Sequence, residues 1–313
     1  MFRLLVLVTS LLATSLPVAR TQGSAHHIAF VKVRPDVGLE VLDWGGHGPA
    51  LVFLAGFGNS GHVFDNFAPQ FANQFHVIAI TRRGFGASSH PGAGYDTGTL
   101  VRDITSVLDS LEIPRATFVG HSFAGTELSS LGAFHADRVT QLIYLDSSYD
   151  FARLFADPRW QRAFPVPKPP VPATTDIGAL RHWFDLVMGP GLPDDEIRVL
   201  TSSGGSDSLG ALLQRGAAAS AFNLIKAPVL VLWATPMSVS DQYPYSRRLD
   251  SLEQSRLQDS FHDQETVRAS QLRYFREHVA GARVVTVTGG RHFVFLSHPR
   301  QVANEGRAFV ASR

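Results

Sequence analysis

The sequence has no cysteine among its 313 residues. This excludes disulfide bridges, a cysteine nucleophile, thiolate metal ligands and a lipid anchor attached to cysteine. The folded protein must therefore draw its stability from its hydrophobic core. Hydrophobic residues make up 44% of the chain, and its length suits one large domain or two small ones.

The sequence also has almost no net charge. It carries 28 basic and 27 acidic residues, which gives a formal charge of +1. This balance produces no strong field toward nucleic acid or an anionic membrane, so we expect neither as a partner. The basic pair Arg82-Arg83 is interpreted as part of a solvated turn.

The first residues have the features of a targeting segment. Arg3 precedes an apolar run over residues 4–12, and small residues follow as far as Ala25. The run is too short for a typical membrane span, so we predict a signal peptide over residues 1–25. The mature protein is then expected to be secreted or periplasmic, with no stable membrane span. The alternative interpretation is an anchor that is not cleaved.

Beyond this leader, strand-like and helix-like segments alternate. The first two strands are separated by turn residues and are predicted to form a hairpin, whereas the later strands are short apolar runs, typical of parallel strands buried on both faces. The predicted strands cover residues 27–33, 40–44, 50–55, 76–80, 116–119, 142–145, 228–233 and 284–287. The predicted helices cover residues 63–74, 100–111, 125–135, 265–280 and 300–311. The alternation predicts an α/β fold with a mostly parallel central sheet flanked by helices, which binds ligands at the carboxyl ends of its strands.

The alternation is interrupted at about residues 147–221, which we interpret as an inserted, largely helical lid within a domain over residues 26–313. The segment is rich in apolar and aromatic side chains: Phe151, Leu154, Phe155, Trp160, Phe164, Trp183, Phe184, Leu186 and Met188. These side chains either pack as a core against the sheet or line an apolar substrate pocket, and both interpretations stay open.

Two motifs after predicted strands indicate acyl-transfer chemistry. The segment Gly-His-Ser-Phe-Ala-Gly at residues 120–125 lies between a strand and a helix, the context of a nucleophile elbow that presents Ser122. His292 follows the last predicted strand and precedes the last helix. It is one of 13 histidines, and this position singles it out as the general base. His298 is interpreted as a surface residue at the start of a helix.

These motifs resemble those of the α/β-hydrolase superfamily over roughly residues 27–146 and 222–311. Residues 81–88, Thr-Arg-Arg-Gly-Phe-Gly-Ala-Ser, are similar to a loop of that superfamily that usually begins with Asp instead of Thr81. The resemblance implies an oxyanion hole formed by two backbone N–H groups. One belongs to Phe123, after the nucleophile, and the other to Phe57 in the Ala-Gly-Phe-Gly loop after an earlier strand.

The resemblance leaves two residues open for the acid of the triad. Its usual position follows the strand at 228–233, where the carboxylate available is Asp241, provided that the loop is longer than usual. Some families of the fold, pancreatic-type lipases among them, instead place the acid after the strand next to the nucleophile, where this sequence has Asp146. We favour Asp146 over Asp241.

The expected function is that of a serine hydrolase with the triad Ser122, His292 and Asp146, acting on a carboxylic ester or lactone with a hydrophobic part. No metal or organic cofactor is expected, since no histidine and aspartate cluster has zinc-ligand spacing. Two alternatives are a carbon–carbon bond hydrolase with the same triad and a non-catalytic small-molecule binding protein on a hydrolase scaffold. Dehalogenases and epoxide hydrolases of the fold need Asp at the nucleophile position, so Ser122 argues against them.

Overall fold

The structure, a computed structural model, describes residues 26–202 and 207–312. The predicted signal peptide at residues 1–25 lies outside these residues, so export stays a prediction. In the described part of the chain, no helix combines the length and apolar character needed to cross a membrane.

An eight-stranded sheet runs through the centre of the molecule, in the order β1-β2-β4-β3-β5-β6-β7-β8. The first two strands form an antiparallel hairpin, β2 pairs antiparallel with β4, and the remaining neighbours are parallel. The predicted mostly parallel sheet is therefore confirmed. The strands are β1 His27–Arg34, β2 Val37–Gly45, β3 Ala50–Leu54, β4 His76–Ile80, β5 Ala116–His121, β6 Val139–Leu145, β7 Val229–Thr235 and β8 Arg283–Thr288.

Helices cover both faces of this sheet, and each face has its own hydrophobic core. Along β3, Val52 and Leu54 belong to one core and Leu51 and Phe53 to the other, because successive side chains of a strand point to opposite faces. The α-helices are α1 Thr97–Ser110, α2 Ala124–Phe134, α3 Phe151–Ala156, α4 Pro158–Arg162, α5 Ile177–Met188, α6 Asp194–Ser202, α7 Asp207–Gly216, α8 Val239–Gln242, α9 Ser251–His278, α10 Val294–Ser297 and α11 Pro299–Ala311.

Two helix predictions differ from the structure. The single helix predicted at residues 63–74 is replaced by two short 3-10 helices, Gly61–Phe64 and Ala68–Phe71. Pro69 has no N–H to donate, so it is tolerated only in the first turn of a helix and forces a new start there. Helix α9 begins 14 residues before the predicted start and carries a capping box between Asp250 and Glu253. Its first half is mostly polar, so the hydrophobic pattern gave no sign of it.

The segment between β6 and β7 contains the helices α3 to α7 in its described part. Side chains of α3 and α7 join the core on one face of the sheet, and side chains of α5 and α6 join the core on the other. The insert therefore reaches over the carboxyl edge of the sheet and is anchored on both sides of it.

Candidate active site

Ser122 and Asp146 each follow a strand of the central sheet directly, and His292 lies in the loop after β8. Ser122 has a φ of +52°, in the left-handed region that residues with a side chain rarely adopt. This turn requires the start of α2 to pass close to the segment that follows β6. A Cβ atom on Gly125 would lie 1.9 Å from the carbonyl oxygen of Ser147, so only glycine fits there.

The structure brings these three predicted site residues into one chain of hydrogen bonds. Ser122 Oγ lies 2.9 Å from His292 Nε2, and His292 Nδ1 lies 2.7 Å from Asp146 Oδ2. With the proton on Nδ1, the imidazole donates to the buried carboxylate and accepts from the serine hydroxyl. The alternative acid, Asp241, lies on α8, where its carbonyl oxygen accepts from Arg291 Nε at 2.7 Å. The carboxylate that reaches the imidazole is that of Asp146.

Arg268 of α9 is a buried cation beside this carboxylate. Its Nη2 donates to Asp146 Oδ1 at 2.8 Å and to the carbonyl oxygen of Ala234 at 2.7 Å, and its guanidinium lies 4.8 Å from the ring of Trp233. Burial acts to raise the pKa of Asp146, but Arg268 and His292 hold that pKa below its ordinary value. The carboxylate therefore stays ionised in a fully buried position.

The sequence interpretation gave His121 no role, although it precedes the serine directly. Its Nε2 lies 3.0 Å from the carbonyl oxygen of His292, and the two rings are in contact. Burial, together with the neighbouring His292, lowers the pKa of His121 to about 3. His121 is thus a neutral donor that fixes the backbone of the His292 loop.

The loop after β3, with Gly56 and Phe57, lies against Ser122. A Cβ atom on Gly56 would lie 2.9 Å from His121 Nδ1 and 3.0 Å from Ser122 Cβ. Arg82 donates to the carbonyl oxygens of Ala55 and Gly56 at 2.9 and 3.3 Å. Because the peptide group is planar and trans, anchoring the Gly56 carbonyl directs the N–H of Phe57 to the opposite side.

The basic pair Arg82-Arg83 was interpreted as a solvated turn, and that interpretation is wrong. Both side chains are buried, Arg82 against Glu127 and Arg83 against Asp103, each at 2.6 Å through Nε. Each arginine makes two hydrogen bonds to its carboxylate, a geometry that compensates for burial of the charges. Arg82 supports the loop after β3, whereas Arg83 joins the loop after β4 to α1 through Asp103.

The insert contacts the same loop through Glu196 of α6. This fully buried carboxylate accepts from Asn59 Nδ2 at 2.7 Å and from the backbone N–H and hydroxyl of Ser60. Burial raises the pKa of Glu196 to about 7, against the opposing effect of these hydrogen bonds. One side chain of the insert thus holds the loop that carries Phe57.

A cavity of about 680 Å³ opens above Ser122 and His292. The first half of the insert contributes much of its apolar wall, with Phe151, Leu154, Phe155, Trp160 and Phe164. Trp183 and Phe184, from the second half, instead pack in the core on one face of the sheet. Apolar side chains of the insert thus contribute both to the core and to the cavity wall: Phe151 and Leu154 do both, whereas Trp183 and Phe184 are absent from the cavity wall. A second cavity, of about 820 Å³, lies between the insert and α9 and contains none of the predicted site residues.

His26, His62 and Asp65 form a cluster whose ligand-type atoms lie within 4.8 Å of one another. The sequence showed no zinc-ligand spacing here. Burial acts to lower the pKa of His62. The hydrogen bonds with Asp65 and Glu40 have a larger, opposite effect, and they raise the pKa to about 10. A protonated imidazole has no lone pair for a metal, so in this form the cluster is a network of ion pairs.

The sequence is similar to a protein family and to enzymes of known activity. A sequence model described as "Alpha/beta hydrolase family" matches residues 51–305. The chain is 30% identical over 153 residues to 3-oxoadipate enol-lactonase 2 of Acinetobacter baylyi, covering 49% of this chain and 54% of that protein. It is 32% identical over 137 residues to bifunctional epoxide hydrolase 2 of Mus musculus, covering 43% of this chain but only 24% of that protein.

Solved structures resemble the whole fold. The crystal structure of E-2-(acetamidomethylene)succinate hydrolase superposes with a TM-score of 0.64 at 20% identity, over 92% of this chain and 100% of that one. An esterase from Rhodococcus sp. ECU1013 gives a TM-score of 0.63 at 20% identity, over 92% of this chain and 99% of that one. At this level of identity the likeness concerns the fold alone.

Proposed function

Because the chain belongs to the alpha/beta hydrolase family, we propose that it is a serine hydrolase that cleaves carboxylic esters or lactones with a hydrophobic part. The observation that carries this proposal is the hydrogen-bonded chain from Ser122 through His292 to Asp146, at the wall of a largely aromatic cavity. A chain of this kind activates a hydroxyl for attack on a carbonyl carbon.

In the proposed reaction, Ser122 Oγ attacks the carbonyl carbon while His292 Nε2 takes its proton. The ionised Asp146 holds the imidazole in the required tautomer and stabilises the imidazolium that forms. His292 then returns the proton to the leaving alcohol, and the acyl group stays on Ser122. A water molecule, deprotonated by His292, attacks this acyl-enzyme and releases the acid.

The negative oxygen of the tetrahedral intermediate is proposed to lie between the N–H groups of Phe57 and Phe123. Two features support this assignment: Arg82 orients the Gly56–Phe57 peptide, and Phe123 precedes α2 directly. The positive end of the α2 dipole favours an anion at that place. Backbone donors of this kind are typically worth about 3–4 kcal/mol of barrier each.

The relatives named for epoxide hydrolysis suggest a second reaction type, which the nucleophile disfavours. Attack of a carboxylate on an epoxide or an alkyl halide leaves an ester, which water can then cleave. The same attack by a serine hydroxyl leaves an ether, which has no carbonyl carbon for water to attack. Ser122 therefore fits acyl transfer, in which both the first and the second step occur at a carbonyl carbon.

The direct test exposes the full chain to a fluorophosphonate probe and to p-nitrophenyl esters from acetate to palmitate. Ser122→Ala is the inactive variant, and Ser110→Ala, at an exposed serine on α1, is the matched control. We expect labelling and turnover in the wild type and in Ser110→Ala, and neither in Ser122→Ala. A folded wild-type protein that is not labelled contradicts a serine hydrolase. Labelling without ester turnover contradicts the ester substrate and favours carbon–carbon bond hydrolysis.

A further inference from the structure

The loop after β3 is anchored at both ends by residues of the loop after β4. At one end, Arg82 donates to the carbonyl oxygen of Gly56, and at the other end the N–H of Gly61 donates to Thr81 Oγ1 at 2.9 Å. Phe57, whose N–H is proposed to stabilise the oxyanion, lies between these two anchors. Its backbone conformation therefore depends on what holds the residues that follow it.

One of these residues is a glycine that its surroundings leave unrestricted. Gly58 has a φ of +80°, and apart from its chain neighbours no atom lies within 4 Å of the position that a Cβ atom would occupy. Glycine adopts many backbone conformations, and packing does not select one of them here. The peptide groups around Gly58 keep their direction only if the next residues along the chain are fixed.

Glu196, on α6 of the insert, fixes those next residues. Its Oε1 accepts from Asn59 Nδ2 at 2.7 Å and from the N–H of Ser60 at 3.2 Å, and its Oε2 accepts from the hydroxyl of Ser60. The carboxylate is fully buried, so these hydrogen bonds are stronger than they would be in water. They join the insert directly to the backbone two and three residues after Phe57.

A second helix of the insert contacts the side chain of Phe57. A Cβ atom on Gly210 of α7 would lie 3.1 Å from Phe57 Cζ, so this helix lies directly against the ring. The ring also meets the edge of Phe85, at 6.0 Å between centroids. The insert thus contacts the loop at the side chain of Phe57 and at the residues that follow it.

We infer that Glu196 is a positioning residue for the oxyanion hole, so that the insert takes part in catalysis as well as forming the cavity wall. The inference rests on the proposed function and deepens it. Oxyanion donors are effective only when they are oriented before charge develops, and their effect is realised in the transition state. Loss of the Glu196 contacts should therefore lower kcat and leave KM unchanged.

The test compares Glu196→Ala, Glu196→Gln and the wild type with p-nitrophenyl acetate and octanoate. Asp195→Ala is the matched control, because this exposed carboxylate is the neighbour of Glu196 on α6 and pairs only with Arg198 of the same helix at 2.8 Å. A third measurement is the Ki of an alkyl trifluoromethyl ketone. Ser122 converts this inhibitor to a tetrahedral adduct, whose oxygen occupies the oxyanion hole.

We expect Glu196→Ala to lower kcat about 10- to 100-fold, part of the loss that follows removal of a whole oxyanion donor. The factor should be the same for both esters, because the oxyanion hole contacts the carbonyl oxygen that they share. The Ki of the ketone should rise by a similar factor, while KM stays within about threefold. Glu196→Gln should recover kcat to within about threefold, because its amide oxygen still accepts from Asn59 and Ser60.

Normal kcat in a folded Glu196→Ala overturns the inference. So does a loss that appears in KM or only with octanoate, because Glu196 then acts on the shape of the cavity. If Glu196→Ala does not fold, Ser60→Ala removes one of the three donors and should lower kcat about three- to tenfold at constant KM. An unchanged kcat there has the same meaning. Turnover that persists in Ser122→Ala overturns the proposed function instead, so the two failures are distinguishable.

Discussion

Ser122 and Asp146 follow neighbouring parallel strands at the same register, and both have a positive φ, +52° and +46°. His121 lies opposite Leu145 in the β5–β6 pair, so the next residue of each strand reaches the edge of the sheet side by side. Left-handed backbone at a residue with a side chain costs about 1–3 kcal/mol. The folded sheet compensates for this unfavourable backbone energy at two adjacent positions. As a result, the serine and the carboxylate both lie next to one imidazole, that of His292.

This relationship predicts that Asp146, and not Asp241, is the acid of the triad. Asp146→Asn keeps the shape of the side chain but lets it donate to His292, which stabilises the wrong tautomer, so we expect kcat to fall about 10⁴-fold. Asp241→Asn should stay within about twofold of the wild type, because its carbonyl oxygen, and not its carboxylate, makes the bond to Arg291. Steady-state rates with one p-nitrophenyl ester test both. A large loss in Asp241→Asn with normal activity in Asp146→Asn contradicts the assignment.

Ser122, Asp146 and His292 could be predicted because two of them directly follow a strand and the third lies in the loop after one, and strands are the clearest local signal in the sequence. Ser122 and Asp146 follow short apolar runs in a parallel sheet, where strand ends share one edge. The sequence could not decide between Asp146 and Asp241, because the choice depends on which loop reaches His292 in space. The geometry of the folded sheet supplies that information.

Arg268 and Glu196, which support the site, could not be identified from the sequence for a related reason. Arg268 and Glu196 come from α9 and α6, far along the chain from their partners at Asp146 and Ser60. One signal for Arg268 was present: it shares a helix face with Val267, Gln271 and Phe275, all buried. A charged residue on the apolar face of a helix indicates a buried ion pair, but its partner cannot be named from the pattern alone.

Arg268 should act as a positioning residue for the triad, with an effect visible in the pH profile. In Arg268→Met, burial is no longer opposed by the guanidinium, so the pKa of Asp146 rises. We expect the acid limb of kcat/KM to move to higher pH, since a protonated Asp146 cannot stabilise the imidazolium. Arg268→Lys restores a positive charge and should recover part of this shift. An acid limb that is identical in all three proteins contradicts the role.

The same substitution should lower stability in a pH-dependent way. Breaking a buried ion pair from one side costs about 3–5 kcal/mol. The pKa of Asp146 is lowered in the folded state, so its contribution to stability is present above the unfolded pKa and is lost as the pH falls through the folded one. Arg268→Met should therefore differ most from the wild type at neutral pH and least in acid. Urea unfolding at several pH values measures this difference.

Glu196 should make stability fall as the pH rises through the weakly acidic range. Burial raises its pKa from 4.5 to about 7, so between these values the folded state binds a proton that the unfolded state has released. The contribution of Glu196 to stability is then largest below pH 4.5 and declines until about pH 7, by about 3 kcal/mol at most. Glu196→Gln cannot ionise and should lack this slope, although Asn59, Ser60 and His62 still face the side chain. Parallel stability profiles of variant and wild type over this range contradict the prediction.

Gly56 should be required for activity because of the space that its neighbours occupy. In Gly56→Ala the added methyl group would lie 2.9 Å from His121 Nδ1 and 3.0 Å from Ser122 Cβ, so the loop after β3 must move away from the nucleophile. Displacing the N–H of Phe57 should lower kcat about 10²- to 10³-fold, the typical effect of losing one oxyanion donor. Gly92→Ala is the matched control, because no atom lies within 4 Å of its added methyl group. Normal turnover in Gly56→Ala would mean that the oxyanion donors lie elsewhere, since this loop cannot keep its position beside Ser122 with the extra methyl group.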